Sequence, residues 1–168
     1  MRILGVDPGT ATTGYGVISV WGKKIKVLSY GCIQTEMKDA PEKRLEQIYK
    51  QIKRLLKKEK PHIVSIERLF FFKNTKTVMA VSQAKGVILM ACSEKKVPVV
   101  EYTPLEIKQA LAGYGRATKK DIQNAIKKIL GLKEIPRPDD AADALAIALC
   151  HRYLNHKNNY QKIKKSNF

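Results

Sequence analysis

The sequence predicts an α/β domain: one mixed sheet of five strands with helices on its faces. Three observations carry this. The first 35 residues hold three short apolar or β-branched runs separated by turn residues, the pattern of an antiparallel meander. Two further apolar runs then alternate with segments of helical period, an order that suits one mixed sheet. The chain of 168 residues shows no internal repeat and no linker long enough to split it, and its length suits a single core.

The elements follow in order. Residues 2–7 are the first strand, Arg2-Ile3-Leu4-Gly5-Val6 closed by Asp7. Residues 14–20 are the second, and residues 24–35 the third, alternating partly around Ile25, Val27, Leu28, Tyr30, Cys32 and Ile33. Trp21-Gly22-Lys23 makes the turn between them. Residues 41–60 switch to helical period: Leu45, Ile48, Ile52, Leu55 and Leu56 share a face, Pro41 suits the first turn, and Pro61 stops the run. Residues 62–67 are apolar at nearly every position, which places that strand inside the sheet.

Residues 75–95 form a second helix, with Asn74 as a candidate cap. From Val78 to Ala91 little polar face remains, so this helix must be covered on two sides. The cover is either the rest of the chain or a second copy, a homodimer seam. Residues 97–101 are a short strand. Helices over 104–112 and 118–130 flank Gly113-Tyr114-Gly115-Arg116, and Thr118 with Asp121 fits an N-terminal capping pattern. The last helix is expected over 139–154, with Asp139 as its cap. The single folded domain is then 1–155, and 156–168 is a basic, flexible tail carrying Lys157, Lys162, Lys164 and Lys165 with no acid.

Charge narrows the partner. Thirty-two Lys+Arg against 15 Asp+Glu give a net charge of +17. Such an excess favours nucleic acid, held through phosphate contacts and counterion release. Cys32, Cys92 and Cys150 are too far apart in sequence for ligand spacing, which argues against zinc and for a reducing compartment. The N-terminus has no signal-peptide pattern and no apolar run approaches a membrane span, so a cytoplasmic location is expected.

Against this basic background four acids stand at structural joints. Asp7 and Glu67 each close an apolar strand, while Asp140 and Asp143 open the last helix three residues apart, on one face. A carboxylate at a buried strand end is costly to desolvate unless it is paired or bound to metal. Asp140 and Asp143 could merely complement the helix dipole, and Arg68 could merely neutralise Glu67. Taken together, acids without histidine or cysteine suit a hard cation, Mg²⁺ or Mn²⁺. Two such ions, about 3.5–4 Å apart, would stabilise the attacking and leaving oxygens of phosphodiester cleavage.

Gly5-Val6-Asp7-Pro8-Gly9-Thr10, Ile66-Glu67, Gln83-Ala84-Lys85-Gly86-Val87, Glu101-Tyr102-Thr103-Pro104 and Asp140-Ala141-Ala142-Asp143-Ala144-Leu145-Ala146 together resemble the RuvC family of Holliday-junction resolvases, over residues 1 to about 155. The resemblance implies a ribonuclease H-like fold, a homodimer, and Mg²⁺-dependent nicking of two symmetric strands of a four-way DNA junction. It implies that Asp7, Glu67, Asp140 and Asp143 hold two metal ions, with Mn²⁺ able to substitute, and that an activated water attacks phosphorus without a covalent enzyme intermediate. It also implies that Phe70 stacks on a junction base and that Lys108 and Lys119 touch DNA backbone. Arg116, Lys73 and Lys76 are further candidates by charge alone. Phe71 and Phe72 need not share the role of Phe70. The family suggests the RuvA and RuvB proteins as partners, although no motif in the chain marks a docking surface. His151 reads as a helix-surface histidine.

Three rivals remain on sequence grounds. Asp7-Pro8-Gly9-Thr10 also resembles the phosphate hairpin of sugar kinases and actin-like ATPases, but those need two such domains to enclose a nucleotide. A non-catalytic junction-binding protein would explain the charge and leave the acids unexplained. Another ribonuclease H-like nuclease would differ only in substrate.

Overall fold

A computed structural model of the chain describes residues 1–68 and 75–165, with side chains over 1–68 and 78–155. The strands are β1 (Arg2–Asp7), β2 (Thr12–Trp21), β3 (Lys24–Gln34), β4 (Ile63–Glu67) and β5 (Val99–Tyr102). The helices are α1 (Pro41–Glu59), α2 (Thr75–Glu94), α3 (Pro104–Ala112), α4 (Lys119–Leu130) and α5 (Asp139–Lys165). The sheet order is β3-β2-β1-β4-β5. β1, β2 and β3 form the expected antiparallel meander, and β4 and β5 add in parallel on the other side of β1.

Two cores cover the two faces. Leu4, Val6, Val17, Val64 and Ile66 pack with Ile48, Ile52 and Leu56 of α1 and Ala84, Ile88 and Cys92 of α2. Ile3, Ile18 and Tyr102 pack on the opposite side with Ile107 of α3, Ile122 and Ile126 of α4, and Leu145, Ile147 and Leu149 of α5. At roughly 1.5–3 kcal/mol for each fully buried aliphatic side chain, these two layers are the main stabilising term.

Helix ends follow local chemistry. Lys60 adopts the left-handed conformation at the end of α1, and its N–H donates to the Leu56 carbonyl. Thr118 and Asp121 form a complete capping box on α4, and Thr103 with Glu106 does the same on α3. Each such cap is worth about 1 kcal/mol.

Several expectations are corrected. Asp139 is the first residue of α5 rather than its cap: its carboxylate meets Lys119 and Gln123 instead. α5 continues as helix to Lys165, beyond the expected end at 154. Its buried stretch, Ala141–His151, anchors the helix, and no proline or glycine follows to break it. His151 is buried, not on the surface, and lies 2.7 Å from the Tyr102 hydroxyl through Nδ1. Within one chain, α2 turns Ala84, Ile88 and Ala91 to the sheet and leaves Met79 and Met90 exposed, the face that the second alternative, a second copy, would cover. Among the described residues no helix is long and apolar enough to cross a membrane.

Candidate active site

Period-two alternation decides where the first two acids point. In β1, Leu4 and Val6 face the α1–α2 core, so Ile3, Gly5 and Asp7 fall on the α5 side. In β4, Val64 and Ile66 do the same, which leaves Ser65 and Glu67 on the α5 side. The strands are parallel neighbours with Val6 opposite Ile66. Asp7 and Glu67 therefore emerge side by side at the carboxyl edge of the sheet.

α5 brings the other two acids over that edge. It rests directly on the strands because they lack side chains beneath it. A Cβ on Gly14 would lie 2.1 Å from the Asp140 carbonyl oxygen, and one on Gly5 would lie 2.0 Å from that of Ala144. The alanines at 141, 142, 144, 146 and 148 are all buried and permit the same approach from the helix side. Asp140 and Asp143 then stand on one face of the first turns. After Asp7 the chain turns away through Pro8-Gly9, fixed by the Thr13 hydroxyl donating to the Gly9 carbonyl at 2.6 Å.

The electrostatics show that these acids sense one another. Burial pushes the Asp7 carboxyl up from 3.8 to about 7; Glu67, Asp143 and Asp140 push it the same way, and Lys119 opposes them. Glu67 is raised by burial and then by Asp143. Asp143 is raised by burial against the pull of Lys119. Buried carboxyls that raise one another in this way mark a place where added positive charge is favourable. The all-oxygen donor set fits a hard divalent ion. Among the described residues no three of these groups converge at ligating spacing as they stand. Asp143 is instead engaged by Lys119, whose Nζ is 3.2 Å from its Oδ2 and 3.2 Å from Asp139 Oδ2.

A cleft opens over the acids. Asp7, Glu67 and Asp143 line it with Lys108 and Lys119, and Pro104, Ile107, Ile122, Ala146 and Ile147 supply apolar walls. Asp140 sits outside that lining, beside Cys32, whose thiol is pushed up by burial and then by Asp140. Arg116 is exposed on the loop between α3 and α4. Phe70, Phe71, Phe72 and Lys73 fall outside the described residues, and the side chain of Lys76 does too.

Two supports rest on contacts that the sequence did not show. Arg68 does not neutralise Glu67: its Nε is 3.7 Å from Glu101 Oε2, and its N–H donates to the Tyr102 carbonyl at 2.7 Å. Lys85 of α2, largely buried, lies 2.8 Å from Glu101 Oε1. The segments around Lys85 and Glu101 thus meet beside the strand end that carries Glu67. The second support is the glycine set under α5. Its signal, Gly14 and Gly16 two apart in a strand, was readable as close backbone approach.

Residues 3–151 match the family described as Crossover junction endodeoxyribonuclease RuvC. The chain belongs to the RuvC family. The RuvC of Syntrophomonas wolfei is 52% identical over 151 residues, covering 90% of this chain and 88% of that protein. That of Moorella thermoacetica is 51% identical, covering 90% of each. The solved Thermus thermophilus RuvC superposes with a TM-score of 0.89 at 37% identity, covering 94% of this chain and 97% of that one. A second solved form, T. thermophilus RuvC in complex with Holliday junction substrate, matches with the same TM-score at 36% identity, over 94% and 96%. The yeast mitochondrial resolvase Ydc2 shares the fold at a TM-score of 0.71 and 16% identity. The fold is thus the ribonuclease H-like fold of RuvC.

Proposed function

We infer that this chain is a crossover junction endodeoxyribonuclease that resolves Holliday junctions in recombination and repair, acting in the cytoplasm by paired symmetric nicks. What carries the reading is the placement of Asp7, Glu67 and Asp143 together in a cleft rimmed by Lys108 and Lys119, in a chain of the RuvC family. Asp7, Glu67 and Asp143, with Asp140 at the edge, would hold Mg²⁺, which supplies charge stabilisation at the attacking and leaving oxygens. Lys119 and Lys108 position the phosphate backbone over the acids, and Lys119 leaves Asp143 to do so. The apolar walls around Ile107 and Ile122 limit water around the charged groups, which strengthens each interaction there. Phe70, by family resemblance, stacks on a junction base, and base–aromatic stacking is worth roughly 1–3 kcal/mol.

A twofold pair of such sites explains two symmetric cuts, so the chain works as a homodimer. The exposed Met79 and Met90 on α2, with the apolar groove that Leu45, Tyr49 and Val87 form beside Met90, are where the second copy packs. RuvA and RuvB are the partners that the family suggests. The deciding experiment incubates the protein with a labelled four-way junction, with Mg²⁺ or with EDTA, beside linear duplex and an RNA–DNA hybrid. Paired nicks in the junction alone, and only with Mg²⁺, are expected. Binding without nicks would favour a structural DNA protein, and cutting of the hybrid would move the function to another branch of the fold.

A further inference from the structure

We propose that the end of the sheet opposite the carboxylates is a second nucleic-acid surface, built on the β2–β3 hairpin and the adjoining part of α5, and that it takes single-stranded DNA or RNA. β1, β4 and β5 begin at this end and finish at the active site, about 20 Å away for a six-residue strand. The hairpin tip is fixed beside the start of β1 by Val20 N–H donating to the Met1 carbonyl at 2.8 Å. Arg152 of α5 reaches the same tip, its Nη2 donating to the Gly22 carbonyl at 2.8 Å.

Charge here is one-sided. Residues 8–35 contain no acid, and residues 144–168 contain none. The Arg152–Gly22 bond is where these two acid-free stretches meet. Lys23, Lys24 and Lys26 are exposed, and among the described residues none has a carboxylate partner. Glu59, the acid that Ser29 of β3 contacts at 3.0 Å, is buried and directs no charge to solvent. The lysines in the last turn of α1 can be assigned to its helix dipole, but the hairpin lysines lie on no helix.

Trp21 names the ligand form. It is the only tryptophan, stands at the hairpin tip directly across the ladder from Lys24, and is 85% exposed, so it contributes nothing to either core. A free indole face beside exposed cations is a stacking platform for an unstacked base, with the lysines tracking the backbone. A duplex would engage the lysines alone, because its bases are already stacked.

The single tryptophan also provides the test. Intrinsic fluorescence is followed, in EDTA and low salt, during titration with oligo-dT, with duplex of equal length, and with poly-glutamate. Oligo-dT should quench Trp21 saturably, duplex should quench it less, and poly-glutamate should leave it unchanged. In the triple variant K23E/K24E/K26E the quench should weaken at least tenfold, with a salt dependence shallower by ~2 in log–log slope. Junction nicking should persist, since these residues lie at the other end of the sheet. Should the triple variant misfold by circular dichroism, Lys23→Glu at the turn gives the same comparison with a slope change of ~0.7. No quench by oligo-dT, an equal quench by poly-glutamate, or an unchanged slope in the folded variant would overturn the proposal; the second result would instead identify an acidic protein as the occupant.

Discussion

Removing the charge of Asp7 should stabilise the protein while destroying its activity. The native state prefers the protonated form of this carboxyl, whose value is pushed up from 3.8 to about 7 by burial and by its acidic neighbours. The folded state therefore binds the proton more tightly than the unfolded chain. The associated stability is fully present below about pH 3.8 and is lost as pH rises to about 7. At about 1.36 kcal/mol per pH unit, the loss by pH 8 has a ceiling of about 4 kcal/mol. Asn keeps the shape and never ionises, so Asp7→Asn should gain about 2–4 kcal/mol at pH 8 and little at pH 4. The assay is urea unfolding of both proteins in EDTA at the two pH values, with Mg²⁺ added in a parallel series. Mg²⁺ should raise the wild-type midpoint and leave the variant nearly unmoved, and nicking by the variant should vanish while junction binding remains. A variant no more stable than wild type at pH 8 would refute the account of Asp7 as a strained, cation-seeking acid.

Three further outcomes are expected. Gly14→Ala would force a Cβ to 2.1 Å from the Asp140 carbonyl, with backbone on both sides and nothing flexible to yield. It should cost about 1–3 kcal/mol in unfolding and, by displacing Asp140 and Asp143 by about 1 Å, roughly a hundredfold in nicking rate measured on the folded protein. Tyr102→Phe leaves His151, whose Nε2 has no partner among the described residues, with neither ring nitrogen bonded to them. Unfolding should be easier by about 1–3 kcal/mol, with little change in the nicking rate of folded protein, and a large rate loss would instead assign Tyr102 a part in the site. Lys119→Gln should reduce junction affinity and lower the log–log salt slope by ~1, read by titrating salt in a binding assay, whereas an unchanged slope would remove Lys119 from the backbone contacts.

Most of the fold was legible because it depends on near neighbours in sequence. The meander, the helix over 41–60 and the capping box at Thr118 all follow from spacing and local bonding, and all appear. The facing of Asp7 and Glu67 was legible too, since period-two alternation sets it once both runs are strands. What stayed hidden depends on one side chain finding another across the fold. Arg68 could as well have turned to Glu67, and only the position of β5 gives it Glu101. Asp139 looked like a cap because caps precede helices; α4 brings Lys119 and Gln123 close enough to take it instead. His151 looked exposed because a lone polar residue on a helix usually is, and a bond to the Tyr102 hydroxyl across the fold makes its burial tolerable.

The packing of α5 across β1 and β2 also sets when this enzyme can become dangerous. Asp143 follows Asp7 by 136 residues, so the two are made roughly ten seconds of translation apart. Until α5 leaves the ribosome, Ile3 and Ile18 lack the cover of Leu145, Ile147 and Leu149, and Asp7 lacks Asp143. A chain that stops before α5 cannot bring Asp143 into the cleft beside Asp7 and Glu67. A broken message or an early stop would yield a sticky fragment for proteases to clear rather than a loose nuclease.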